Sequence, residues 1–295
     1  MIDFIRLVYD DKEDIEEYIL LKENFDKVYT IFEYHSGEIL YPYKASCENM
    51  EVGINNKVVF IKNSIHKLYN VLENNGEQNH NDLTYSKLSG TINYLRSKFI
   101  GLDDAKLTVL EFGLNISTPI PAEDIIRGNI IRHGGEEYSH RLKFKGKGEY
   151  MQFDHTDYYI KVYDKAKQYG LIDNILRFEI KFIRKREFNK LDVYNITDLL
   201  NKDILRRLFD YLLKRFDNMV IIDDFSYISC EVDKAALNTY TSRRYWTDLS
   251  KQYSRQTKSI HKKKFSELLA KYDLLKTRNN LRQSLIDKFH FLISN

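Results

Sequence analysis

Carboxylate, basic and tyrosine side chains recur at every second position in three short segments. In 107–116 the apolar set is Thr108, Leu110, Phe112, Leu114 and Ile116, and the alternate set ends in Glu111, Gly113 and Asn115. In 157–165, Tyr158, Ile160 and Val162 alternate with Asp157, Tyr159, Lys161, Tyr163 and Lys165. In 174–183, Leu176, Phe178, Ile180 and Phe182 alternate with Arg177, Glu179 and Lys181. Strand side chains point to opposite faces with period two, so each segment reads as a strand with one core face and one polar face. If the three are sheet neighbours, the polar faces merge. Ordinary half-solvated antiparallel sheets also alternate this way. Their wet faces, however, carry scattered Thr, Ser, Lys and Glu rather than so concentrated a set.

Such a set suits attack on a phosphodiester. Tyrosine is a poor nucleophile near its free pKa of about 10, and nearby lysine charge or a metal favours the phenolate. Glu111 and Glu179 are candidate ligands for Mg²⁺ or Mn²⁺, which prefer oxygen. Lys161, Lys165, Arg177 and Lys181 are candidates for phosphate contact. Arg177 and Lys181 also read as mere salt-bridge partners of Glu179, worth little on a surface. Tyrosine attack would leave a phosphotyrosine link and a free 3′-hydroxyl, whereas water attack would make a simple nuclease. Tyr159, Tyr194 and Tyr211 rival Tyr163 among the 22 tyrosines, a number that an AT-rich coding sequence explains without function. Tyr159 shares the polar face and is placed to stack a base.

The surrounding elements follow from hydrophobic period and turn signals. Strands are expected at 2–9, 27–34, 50–54, 57–62, 107–116 and 174–184, with Asn55-Asn56 as a hairpin turn and further antiparallel strands within 141–163. Helices are expected at 11–25, 85–100, 121–133, 196–216 and through most of 234–293. Mixed strands and helices followed by helices alone predict an α+β fold. Its central antiparallel sheet has one open polar face, and a strand–helix–strand pattern at the start and again from 107 suggests a duplicated half. Two domains are expected, 1–230 and a basic helical region 231–295.

Charge supports that division. The 295 residues carry 46 Lys+Arg against 43 Asp+Glu, a net +3. Residues 231–295 hold 14 basic and 6 acidic side chains, a net +8, leaving −5 on the rest. Arg243, Arg244 and Lys262, Lys263, Lys264 are candidates for DNA phosphate there. Tyr245 and Trp246 beside them could stack on bases, although core packing is the preferred reading for Trp246. Three prolines and twelve glycines exclude a low-complexity chain, and two cysteines, Cys47 and Cys230, exclude a disulfide scaffold. The acidic turn within the first ten residues argues against a targeting leader. No apolar run of about 18 residues occurs, so no membrane partner is expected and a cytoplasmic location in a bacterial host is.

The segments LTVLEFGLNIS, YYIKVYDKAKQY and ILRFEIKFIRKREF, in that order, resemble the gene II/X-type replication initiation endonucleases of filamentous phages and related rolling-circle plasmid initiators. MIDFIRL and VVFIKNSIHKLYN add to the likeness, which covers roughly residues 1–200 and implies an RRM/Rep-nuclease-like fold. It also implies a divalent-metal-dependent enzyme that nicks and rejoins one strand of origin DNA. Tyr163 falls on the nucleophile, with Lys165 two residues on. Glu111, where many members have Asp, and Glu179 fall on metal-holding positions. The His-x-His pair of many rolling-circle nucleases is missing. His133, His140 and His155 are isolated, and more ordinary surface or capping roles suit them. His155 is the best placed, and it or Asn115 would complete the metal ligands. The expected partner is origin DNA, duplex and single-stranded, with a host helicase as a second candidate. The alternatives are a non-enzymatic DNA- or RNA-binding protein using the same sheet, and a relaxase or transposase.

Overall fold

The computed structural model describes residues 1–295 except Asp26, Gly135, residues 140–145 and Arg243, and the side chain of Ser250. His140 and Arg243 therefore lie outside the described residues. The first half runs β1 (Ile2–Tyr9), α1 (Glu13–Leu20), β2 (Val28–Glu33), β3 (Glu38–Cys47), β4 (Met50–Ile54), β5 (Val59–Ser64), α2 (Ile65–Leu72) and α3 (Tyr85–Lys98). The second runs β6 (Lys106–Ser117), α4 (Ala122–Asp124), β7 (Ile130–His133), β8 (Tyr150–Asp154), β9 (Tyr158–Asp164), α5 (Lys165–Tyr169), β10 (Ile175–Phe182) and α6 (Lys185–Asn189). Then come α7 (Lys202–Asp217), β11 (Met219–Ile221), α8 (Glu231–Thr241), α9 (Tyr245–Gln252), α10 (Arg255–Lys271) and α11 (Lys276–Ser294).

The fold is α+β, as expected. Nine strands form one antiparallel sheet in the order β2-β3-β4-β5-β1-β6-β10-β9-β8. Leaving out the edge strand β2, the order β3-β4-β5-β1 is mirrored by β6-β10-β9-β8, so the two halves repeat one topology about the β1–β6 seam. The Asn55 turn joins β4 and β5, its side-chain oxygen accepting from the amides of Lys57 and Val58.

The apolar sides of the central strands build the main core. Phe178 of β10 meets Phe216 of α7 edge-on at 5.3 Å. Phe209 of α7 stacks on Phe289 of α11 at 4.1 Å. Leu281, Leu285, Phe289, Leu292 and Ile293 of α11 thus belong to the same buried cluster as the sheet. A second cluster joins Ile222, Ile228, Leu237, Tyr240, Trp246, Leu249, Phe265, Leu269 and Leu274. The expected boundary at 230 therefore does not separate two cores. The second core spans 222–274, and α11 returns to the first because its apolar stripe needs a partner face. Trp246 is core, as preferred from the sequence.

The region 121–133 departs from the expected single helix. Only Ala122–Asp124 is α-helical; Ile125–Asn129 forms a wide π turn, and Ile130–His133 pairs with β11. Its Ile-Ile-Arg-His end is β-branched, which favours the strand.

Candidate active site

The polar residues of the three strands converge as a ladder. Across β10 and β6, Lys181 faces Glu111, Glu179 faces Gly113 and Arg177 faces Asn115. Across β10 and β9, Lys181 faces Tyr159, Glu179 faces Lys161 and Arg177 faces Tyr163. Gly113 is required here, since a Cβ on it would lie 2.3 Å from the Cβ of Glu179. At the end of β9, Asp164 caps α5 by accepting from the Lys167 amide at 2.8 Å, and this turn swings Lys165 over the ladder.

Asp3 joins from β1, which the sequence reading missed. Ile2 pairs with Phe112 and Ile5 with Leu110, so an extra residue is accommodated between them. That bulge keeps Ile2 and Ile5 in the core while Asp3 and Phe4 reach the polar side. Strict alternation from Ile5 and Leu7 would have placed Asp3 in the core. A lone carboxylate in an apolar strand was the available signal. Asp3, Glu111 and Glu179 each offer an oxygen within 4.8 Å of the others.

This face is not an open wet surface. Glu179, Lys165 and Arg177 are at most 2% exposed. The segment around Asn79, also unforeseen, covers them. Its carbonyl and that of His80 accept from the Asn115 amide, both at 3.1 Å. The Asn79 side chain donates to Asp3 at 2.7 Å and accepts from Lys165 and Tyr169, each at 2.6 Å. What remains is a cavity of about 390 Å³ lined by residues that include Asp3, Glu111, Lys161, Tyr163, Lys165 and Glu179.

Charge is balanced within the site. Arg177 donates to Glu179 at 2.5 Å, to Asn115 at 2.9 Å and to Asp3 at 3.3 Å. Lys161 bridges Glu179 at 2.8 Å and Glu111 at 3.1 Å, and Lys181 holds Glu111 at 2.8 Å. Arg177, Lys161 and Lys181, expected on phosphate, are therefore engaged by the site's own carboxylates. Burial opposes the charge on Asp3, but Arg177, Lys165 and the Ser64 hydroxyl outweigh it and hold the carboxyl well below the usual range. Burial likewise opposes the Lys161 ammonium, which Glu179 and Glu111 hold protonated.

Tyr163 differs from its sequence-based expectation. It is 7% exposed and donates to Glu179 at 3.4 Å. Burial, reinforced by Glu179, raises its pKa well above 10, so the resting group is the phenol and not the phenolate. Lys165 is pulled down to about 7 by burial and then by Arg177. Its Nζ lies 5.3 Å from the centre of the Tyr163 ring.

Other candidates lie elsewhere. His155 is 2.8 Å from His133 and stacks on Tyr158, a residue of the apolar face. It is thus on the wrong side of the sheet to join the carboxylates. Asn115 uses its side-chain oxygen on Arg177 and belongs to the floor. Tyr211 is also on the apolar side, against Phe182 and Tyr158. Tyr194 is 53% exposed. Tyr159 is half-buried on the ladder. Tyr150, not foreseen, lines the same cavity with its ring 5.8 Å from that of Tyr163. Arg244 and Lys262, Lys263 and Lys264 are exposed on the C-terminal helical region.

No protein-family model matches the chain, and no curated protein does. Among solved structures, the chain is similar to a rolling circle replication initiator protein from Geobacillus stearothermophilus. The TM-score is 0.43 at 12% identity, over 79% of this chain and 89% of that one. At that level the likeness assigns no activity. Among the described residues, no helix is long and apolar enough to cross a membrane.

Proposed function

We propose that this chain is a replication initiator that nicks and rejoins one strand of origin DNA by tyrosine attack, as in rolling-circle replication of a phage or plasmid. The observation that carries the reading is a buried tyrosine hydrogen-bonded to one member of a three-carboxylate cluster, at the wall of a cavity. Asp3, Glu111 and Glu179 fit Mg²⁺ or Mn²⁺, since all their donors are hard oxygens. The Lys161 ammonium between Glu111 and Glu179 supports a preference for positive charge at this place. Such an ion, when bound, offsets phosphodiester charge.

The chain's own residues supply the rest. The Tyr163 oxygen forms a bond to phosphorus, and the bond from phosphorus to the 3′ oxygen breaks. The product is a 5′-phosphotyrosine link and a 3′-hydroxyl. Lys165, neutral above about pH 7, takes the phenol proton and returns one to the leaving oxygen, since a base works best near the operating pH. Arg177 positions Glu179 and Asp3, and Asn79 orients Lys165. Rejoining reverses these steps.

The test is supercoiled DNA of the replicon that encodes the chain, incubated with Mn²⁺. The wild type is expected to give nicked circles with protein on the 5′ end, and Tyr163→Phe none. A covalent adduct surviving in Tyr163→Phe would overturn the assignment, and its loss in Tyr150→Phe instead would move the nucleophile to Tyr150.

A further inference from the structure

Away from this site, a buried charged group borders the second core and has no ion-pair partner among the described residues. Arg132 of β7, paired across the ribbon with Val220 of β11, is 6% exposed. Its guanidinium lies over the Trp246 ring at 4.4 Å. Among the described residues its Nε has no hydrogen-bond partner, and no carboxylate forms an ion pair with it. Burial alone pulls its pKa down to about 10. Leaving a buried guanidinium unpaired is costly, and an apolar side chain would pack on the indole without that penalty. Aromatic packing therefore does not account for arginine at this position.

Arg132 also lines a cavity of about 680 Å³, a size typical of ligand sites. Lys258 and Lys262, one helical turn apart on α10, line it too. Asp217 on its wall is already held by Arg278 at 3.2 Å and Arg282 at 2.8 Å. Lys262 forms no ion pair among the described residues, so together with Arg132 it leaves positive charge in excess, which selects an anion. Arg255, Lys258 and Lys262 also border one adjoining surface depression, so the basic surface continues along α10 beyond the cavity. A basic track leading to a planar, forked donor matches a nucleic-acid backbone.

We propose that Arg132, with Lys258 and Lys262, forms a phosphate pocket that holds a backbone phosphate of a DNA strand, apart from the nicking site. Trp246 is the only tryptophan of the chain, so intrinsic fluorescence reports on this pocket directly.

The experiment titrates the full chain with inorganic phosphate and with a twelve-residue oligothymidylate, against sodium chloride of equal ionic strength, reading Trp246 fluorescence and melting temperature. Both ligands are expected to change the fluorescence and raise the melting temperature of the wild type, and phosphate should displace the oligonucleotide. Arg132→Met should melt higher than the wild type without ligand, because a lone buried charge is gone, and should bind both ligands at least about tenfold more weakly. Lys262→Gln, exposed and neutral for folding, should bind the oligonucleotide with a salt slope reduced by about one. No response of the wild type beyond sodium chloride, or an undiminished response in Arg132→Met, would overturn the pocket. Arg132→Met melting below the wild type together with unchanged affinity in Lys262→Gln would make Arg132 purely structural. Binding of phosphate without the oligonucleotide would overturn the assignment to DNA. Because no readout here is cleavage, failure of the tyrosine mechanism would leave these outcomes unaffected.

Discussion

Replacing Lys161 by methionine removes the ammonium that Glu111 and Glu179 share. The pair distances are 3.1 and 2.8 Å, and the three side chains are 15%, 9% and 2% exposed. Removing one partner of a buried ion pair costs about 3–5 kcal/mol. Glu179 keeps Arg177 at 2.5 Å and Glu111 keeps Lys181 at 2.8 Å. That partial compensation puts the expected loss near the low end, about 3 kcal/mol. For a chain of 295 residues the melting temperature should fall by about 5 °C. Added Mn²⁺ and the ammonium compete for the same oxygens. Without the ammonium, Mn²⁺ at about 100 times its Kd adds about 2.7 kcal/mol and restores most of the loss. The wild type, in which Lys161 must be displaced, should gain less. The assay is calorimetric melting of both proteins in chelator and in graded Mn²⁺. A Lys161→Met variant as stable as the wild type in chelator would refute the ion-pair reasoning. Equal responses of the two proteins to Mn²⁺ would refute the competition, and with it the carboxylates as the metal site.

Gly113→Ala forces a Cβ to within 2.3 Å of the Glu179 Cβ. It should cost about 1–3 kcal/mol in urea unfolding and reduce nicking by moving Glu179. Phe289→Ala removes the ring stacked on Phe209 and should cost about 3–5 kcal/mol; an unchanged urea midpoint would show that α11 is dispensable to the main core. Lys165 titrates near 7 when folded, against 10.5 for an ordinary lysine. Between those values the unfolded chain binds more protons, so stability should rise with pH from about 7 to about 10.5. Lys165→Met should flatten that rise in urea midpoints measured across the range, whereas an unchanged slope would place the titration elsewhere.

Much of the site was legible because period two is a strong local signal. Glu111, Glu179, Lys161, Arg177 and Tyr163 were placed on one polar face from alternation alone, and the register bears out that placement. Asp3 was not, because a β-bulge breaks the alternation and only the partner strand reveals it. Asn79 sits in a connection with no period at all, so nothing local marks it as the lid of the face. The helix expected over 121–133 gave way to a π turn and a strand because β11, far along the chain, offered a pairing edge.

Residue types and their alternation were enough to specify the polar ladder and the apolar core faces, since those follow from backbone geometry within each strand. The tertiary structure alone decided how the charges are spent. Neutralisation and burial depend on neighbours distant in sequence. The same lysines and arginine that suggested phosphate contact instead balance three carboxylates, Tyr163 is held as a phenol rather than a phenolate, and Arg132, ordinary in the sequence, becomes a buried charge with no ion-pair partner among the described residues.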